Sequence, residues 1–186
     1  DMYNVAVGHS AGQAVTTGVQ NVLIGGLAGD ALTDADFNVA IGTSALTSDT
    51  LGSRSTAIGT SALATQNLTS ATDVYNTALG FAAGQAVTTG VQNTFVGGLA
   101  GDATDDGTNN VAVGFEALSA NCGSGNTAIG TRAGKTTTAD NNTFVGNNAG
   151  TAVTTGTNNT ALGATALDSN TTASNNTAIG RSALGA

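Results

Sequence analysis

The sequence predicts an all-β fold, a parallel β-roll or β-solenoid of eleven rungs of about seventeen residues each. Three observations predict it. One phrase, close to Asn-Thr-Ala-Ile-Gly, recurs eleven times, opening at Asn4, Asn21, Asn38, Ser55, Asn76, Asn93, Asn110, Asn126, Asn142, Asn159 and Asn176. The interval is seventeen residues in most cases, sixteen twice, and twenty-one once, between Ser55 and Asn76. A period this short belongs to units that cannot bury their own apolar face and must stack on their neighbours. Finally, no stretch shows the 3.6-residue apolar period of a helix. Residues 1–186 therefore read as a single repeat solenoid.

Within each phrase the order is strict. A glycine closes it at Gly8, Gly25, Gly42, Gly59, Gly80, Gly97, Gly114, Gly130, Gly146, Gly163 and Gly180, always preceded by Val, Ile or Leu. In Asn38-Val39-Ala40-Ile41-Gly42 the alternation sets Val39 and Ile41 on one face and Ala40 on the other, as a short strand requires. The aliphatic face is expected to line the interior, and the alanine face to lie outside, where small residues permit close approach of another surface. The residue after the opening one is Val or Thr, both β-branched and strand-favouring, and the Thr column is expected to face inward with the aliphatics.

Three residues after the glycine an alanine recurs, from Ala11 to Ala183, followed only by Gly or Leu. A second short strand is expected there, as in Thr43-Ser44-Ala45-Leu46. The rest of each unit is turn-rich and carries the length variation, including the insertion within Ala64 to Tyr75, so it is expected to loop along one edge. The opening Asn, doubled at Asn109-Asn110, Asn141-Asn142, Asn158-Asn159 and Asn175-Asn176, suits a left-handed turn and an amide ladder between rungs. With rungs ~4.8 Å apart, the stack makes a rod of about 50 Å. Ala11 to Asn21 is identical to Ala83 to Asn93, and Gly25 to Ala31 to Gly97 to Ala103, a displacement of 72 residues that records duplication of a block of rungs.

Composition narrows the function. Charged residues are 9% and aromatic residues 4%, so a thin, continuous Val, Ile, Leu and Ala core is expected in place of a thick one. A formal charge of −8, with Arg54, Arg132, Lys135 and Arg181 as the only bases, disfavours nucleic acid and anionic membranes as partners. Cys122, alone, offers neither an internal disulfide nor a metal pair and is expected in a turn. No apolar run approaches the ~18 to 20 residues of a membrane span. The pattern is already running at Asn4 and still running at Leu184, so the chain is expected to be a segment of a longer fibre protein.

Asn109-Asn110-Val111-Ala112-Val113-Gly114 and its counterparts resemble the Asn-Ser-Val-Ala-Ile-Gly repeats in the head domains of YadA-type trimeric autotransporter adhesins. The pattern from Asn159 to Asn170 and on to Asn176 is similar to repeats in phage and bacterial tail fibres. The resemblance spans essentially the whole chain. It implies a left-handed parallel β-roll, three chains to a fibre with small-residue faces toward the axis, and no catalytic residue. The period here is longer than that of the adhesin heads, and Thr often replaces Val.

Candidate chemistry is sparse. Ile41-Gly42-Thr43-Ser44-Ala45-Leu46 has the form of a hexapeptide repeat, as in left-handed-helix acyltransferases. Those need continuous hexads and a histidine base, whereas only one hexad per rung fits, and the sole histidine, His9, is expected to be exposed beyond its strand. Asp30, Asp34 and Asp36, and Asp102, Asp105 and Asp106 with Gly107, gather oxygen atoms as calcium prefers. Neither set matches a calcium-roll repeat or an EF-hand, and solvated acidic turns are expected. Thr16-Thr17, Thr88-Thr89 and Thr154-Thr155 raise ice binding, but they fall in turns. The Asn-x-Thr sites at Asn67, Asn141, Asn158 and Asn175 are by-products of the repeat.

No catalytic residue, cofactor or metal ligand is assigned. The expected function is a structural or adhesive segment of a homotrimeric fibre, outside a cell or on a virion, attaching to a host-surface receptor or extracellular matrix without membrane contact of its own. Phe81, Phe115 and the insertion loop are the candidate contact points. A self-assembling filament subunit, a hexapeptide-type acyltransferase and an ice-binding solenoid are the alternatives.

Overall fold

A computed structural model of the protein describes residues 2–185. Each phrase forms a three-residue strand: β1 (Val5–Val7), β2 (Val22–Ile24), β3 (Val39–Ile41), β5 (Thr56–Ile58), β7 (Thr77–Leu79), β8 (Thr94–Val96), β9 (Val111–Val113), β10 (Thr127–Ile129), β11 (Thr143–Val145), β12 (Thr160–Leu162) and β13 (Thr177–Ile179). They pair in sequence order as one parallel eleven-stranded sheet, each position on its equivalent, as in Val39↔Thr56, Ala40↔Ala57 and Ile41↔Ile58. The insertion adds a two-stranded parallel pair, β4 (Gly52–Ser53) with β6 (Thr72–Asp73). The chain is therefore a parallel β-solenoid, with no helix among the described residues.

The two faces of the strand are the reverse of the expectation. The middle residue points into the coil: Ala40, Ala57, Ala78, Ala112, Ala128 and Ala161 are buried, as are the bulkier Leu23, Phe95 and Phe144 at the same position. Val39 and Ile41, on the other face, are only half-buried. Volume decides against hydrophobicity here. A coil of about seventeen residues encloses so narrow an interior that close packing favours one small side chain per strand, and the β-branched residues are turned outward. The Thr column turns outward with them.

The expected second strand is also replaced. Ser44 and Leu46 have φ of 55° and 53°, and left-handed residues alternating with ordinary ones curl the backbone into successive turns. Those turns still bond from rung to rung, as in Gly29 N–H to the Ala45 carbonyl (2.9 Å) and Leu46 N–H to the Ala62 carbonyl (3.0 Å). The recurring alanine, for example Ala45, Ala62 and Ala83, is buried in the core.

The strand-closing glycine has two reasons to be invariant. Gly42 has φ of +133°, a conformation L side chains rarely adopt, and a β-carbon there would lie 2.6 Å from the carbonyl carbon of Gly59 in the next rung. The same holds up the column from Gly8 to Gly163, each glycine with a further rung stacked on it.

The asparagine ladder is present and buried. The Oδ1 of each ladder Asn accepts the backbone N–H of the next ladder residue, as in Asn38 N–H to Asn21 (2.9 Å), Asn110 to Asn93 (2.9 Å) and Asn159 to Asn142 (2.9 Å). Its Nδ2 donates to a turn carbonyl of its own coil, as in Asn93 to Gly107 (2.8 Å). Where Asn is doubled, the two divide the work: Asn109, Asn141, Asn158 and Asn175 take the left-handed corner, with φ between 56° and 63°, and their successors build the ladder.

Ser55 interrupts the ladder, and the insertion repairs it. Gln66 Nε2 donates to Ser55 Oγ (2.9 Å) and to Asp49 Oδ2 (2.5 Å), while Gln66 Oε1 accepts from Asn76 Nδ2 (2.9 Å). Asp49 Oδ1 in turn accepts the N–H groups of Gly52 (3.0 Å) and Leu68 (3.2 Å). Each of these polar groups is buried and satisfied, as a buried network must be to stabilise the fold.

Candidate interaction surface

The outward face of the sheet has two columns. One holds the Val and Thr residues that follow the ladder; the other holds Val7, Ile24, Ile41, Ile58, Leu79, Val96, Val113, Ile129, Val145, Leu162 and Ile179. Neighbouring rungs cover the flanks of these side chains but not their tips: Leu79, Ile129 and Leu162 are exposed and the others in the middle of the rod half-buried. None of the 12 Asp and Glu residues lies between the corner residue before the ladder and the residue after the glycine in any rung. The carboxylates sit on the turn-rich side, as Asp30, Asp34 and Asp36 do. The face is thus apolar and Thr-bearing, and the negative charge lies at its edges and beyond.

Larger side chains mark both edges of this face. Along the left-handed corner, the Arg54 guanidinium lies 4.5 Å over the Phe37 ring. Asp73 ties the group together, its Oδ1 2.9 Å from Arg54 Nε and its Oδ2 accepting from the Tyr75 hydroxyl at 3.2 Å. Asp73 comes from β6, so the insertion supplies the anchor. At the opposite edge, directly after the strand glycine, stand Phe81 and Phe115, both exposed as expected. The Phe115 ring leans over Gly98, where a β-carbon would lie 3.6 Å from Cδ2. Just beyond, Glu116 Oε2 receives Lys135 Nζ at 2.7 Å and Arg132 Nε at 2.8 Å. The hydrogen bond from Lys135, then that from Arg132, holds the Glu116 carboxyl below its ordinary value.

The other candidate residues are kept apart. His9 is exposed at the end of the first strand. Asp30 and Asp34 accept hydroxyl hydrogen bonds, from Thr47 (2.6 Å) and Thr17 (2.5 Å), and Asp36 accepts the Val19 N–H (2.7 Å). Asp105 accepts from Thr88. Each carboxylate is thereby tied to an adjacent rung, and no group of three or more His, Cys, Asp or Glu is disposed around a metal position among the described residues.

Asp102 has a buried Oδ1 without a hydrogen-bond partner. Desolvation raises its pKa above the ordinary value, offset in part by a hydrogen bond from Ser119. Cys122, expected in a turn, is instead packed in the core, buried, with Sγ 3.2 Å from Thr104 Oγ1, and burial pushes its thiol pKa up. No pocket opens among the described residues, and no helix long and apolar enough to cross a membrane is present among them.

The Phe37, Arg54 and Tyr75 corner was not singled out from the sequence. Its signal is the residue before each ladder position, which is Tyr, Gln, Phe or Arg through the first six rungs and Asn or Gly in the rest. Comparison of the chain with protein-family models, curated proteins and solved structures finds no match.

Proposed function

We propose that this chain is a non-enzymatic structural and adhesive segment of a homotrimeric fibre, standing outside a cell or on a virion, whose left-handed rolls pack their strand faces around a common axis. The observation that supports this reading is the uncharged strand face, which runs the length of the rod with its aliphatic tips uncovered. A contiguous apolar surface of that extent marks an interface. The expectation that small residues face the axis gives way to Val, Thr and Ile doing so, because the alanines are inside each coil. The acidic, Thr-rich turns then point outward, where the insertion offers contact to a receptor or matrix. Rigidity and repeated display are the mechanism.

The native mass by light scattering, with and without calcium chelator, tests this directly. Three times the chain mass, unchanged by chelator, is the expected result; a stable monomer overturns the trimer.

A second reading is favoured by one observation. Thr56, Thr77 and Thr94, and beyond Val111 Thr127, Thr143, Thr160 and Thr177, form an outward column at the ~4.8 Å strand spacing, beside the column of aliphatic side chains. A monomer bearing this regular hydroxyl and methyl array suits adsorption to ice. Thermal hysteresis of the monomer, lost in Thr127→Lys and Thr160→Lys, is its expected outcome; unchanged freezing overturns it.

A further inference from the structure

We infer that the left-handed corner from Tyr3 to Gln92 is a binding ridge for an uncharged, extended β-1,4-linked glycan, one disaccharide to every two rungs. The inference goes beyond the fibre reading and is complete in a single copy of the chain.

The corner residue changes character along the rod. In the last five rungs it is Asn109, Gly125, Asn141, Asn158 or Asn175, residue types that accept left-handed backbone angles most readily. The first six rungs hold Tyr3, Gln20, Phe37, Arg54, Tyr75 and Gln92 in the same conformation, with φ between 50° and 65°, and all six are exposed. Asn or Gly satisfies the fold here, so a less favourable backbone choice that holds a large side chain in solvent points to function. Their order points the same way. Rings and hydrogen-bonding groups strictly alternate, with Tyr3, Phe37 and Tyr75 on the odd rungs and Gln20, Arg54 and Gln92 on the even ones.

Backbone bonds fix the spacing. The N–H groups of Gln20, Phe37, Arg54 and Gln92 donate to carbonyls of the preceding rung, those of Met2 (2.8 Å), Val19 (3.0 Å), Asp36 (2.9 Å) and Val74 (2.8 Å). At the insertion the pairing of β4 with β6 carries the register across, and Val74 N–H donates to the Ser53 carbonyl at 2.9 Å. Tyr75 thereby regains the column despite the longer interval. Ring follows ring every two rungs, ~9.6 Å. Between two of the rings, Arg54 is set in advance by Phe37 and by Asp73, which also balances its charge.

This pattern selects the ligand. Each sugar of an extended β-1,4-linked glycan is turned over relative to the last, so like faces recur once per disaccharide, a length close to two rungs. Pyranose faces offer C–H groups to aromatic side chains, and the hydroxyls around them suit Gln and Arg. A peptide strand laid along the ridge would repeat every ~6.8 Å and fall out of step with the rings. The formal charge of −8 disfavours a polyanionic glycan.

The two tyrosines of the chain both stand on the ridge and there is no tryptophan, so intrinsic fluorescence reads it directly. Titration of the full chain with cellohexaose and with chitohexaose is expected to change that fluorescence saturably for at least one of the two. Maltohexaose, whose α-1,4 linkage coils, is expected to leave it unchanged. Phe37→Asn and Tyr75→Asn install the residue that later rungs use at this corner, and by calorimetry each should weaken binding about tenfold. The exchange of Phe37→Arg with Arg54→Phe keeps the composition but breaks the two-rung repeat, and should abolish binding. Failure of both β-1,4-linked hexamers to bind, equal binding of maltohexaose, or full affinity in the exchanged variant overturns the ridge. A trimeric mass without glycan binding leaves the fibre reading standing, whereas a monomer that binds upholds the ridge and removes the trimer.

Discussion

The Phe95 ring fills the space that a side chain at Gly101 would need: a β-carbon on Gly101 would lie 2.7 Å from Phe95 Cζ. Phe95 also reaches down a rung, where a β-carbon on Gly84 would meet its Cδ2 at 2.8 Å. The same relation joins Phe144 to Gly134 and Gly150, and Leu23 to Gly12 and Gly29. Rungs with Ala at the strand centre carry the buried Leu46, Leu63, Leu118 and Leu167 after the core alanine wherever no bulky neighbour intrudes. The core is thus filled to constant volume by two different recipes.

That exchange predicts strong coupling. Phe95→Ala alone should cost about 3 to 5 kcal/mol by leaving a cavity. Gly101→Leu alone should cost on the order of 3 kcal/mol by overpacking. The double variant recreates the Ala and Leu recipe of Ala57 and Leu63, whose Leu already tolerates φ of 49°. It should recover at least ~2 kcal/mol relative to the sum of the single changes, within the range of contacting pairs. Urea unfolding of the four proteins measures it, and additive costs would refute the exchange.

The patched ladder predicts a rescue. Gln66→Ala leaves Ser55 Oγ, Asn76 Nδ2 and Asp49 Oδ2 short of partners and should destabilise by about 3 kcal/mol. Ser55→Asn placed in that background restores an amide where every other rung has one, and should return ~1 to 2 kcal/mol. In the native background the same Ser55→Asn change crowds Gln66 and should destabilise. A Ser55→Asn effect of the same sign in both backgrounds would contradict the bridging role.

Asp102 gives stability a pH signature. Its folded pKa lies above 3.8, the ordinary value, because burial disfavours the charged carboxylate. The native state therefore holds this proton more tightly than the unfolded chain, and the stability that Asp102 contributes is full below the ordinary value and lost as pH climbs through the folded one. Asp102→Asn removes that loss. The variant should be more stable than the native chain at about pH 7, with the gap closing at about pH 3; a gap that widens in acid would reverse the assignment.

Cys122 should resist thiol reagents. Its side chain is buried against Thr104, and little thiolate forms at neutral pH when burial raises the pKa. Reaction with an aromatic disulfide reagent should be slow in the native chain and complete within minutes in denaturant. Equal rates would place Cys122 at the surface.

The period, the strand that follows each ladder residue and the asparagine column could be read directly from the sequence, because a stack repeats the same solution and each copy votes for it; the second strand expected around Ala45 could not, since its left-handed turns leave no mark in the apolar pattern. Orientation could not be read by the usual rule. Faced with Val39, Ala40 and Ile41, amphipathic reasoning sends the larger residues inward, whereas a coil this narrow makes size the deciding term. The corrective signal was present all the same: Leu23, Phe95 and Phe144 each travel with a glycine six residues on, which only a shared interior explains. The Asp49 and Gln66 repair was beyond reach, since its partners lie in the one interval that breaks the period. The apolar face and its aromatic edges became visible only once the orientation was known.

The ladder has a direction, each Oδ1 receiving from the rung above, and almost nothing in it depends on how many rungs there are. Whole units can be inserted or removed wherever the recipe of neighbouring cores is respected, and each changes reach by ~4.8 Å while leaving girth and surface chemistry as they were. The molecule is in this sense a ruler, graduated in single turns of chain, and the duplicated block beginning at Ala11 and Ala83 is a stretch of its scale copied twice.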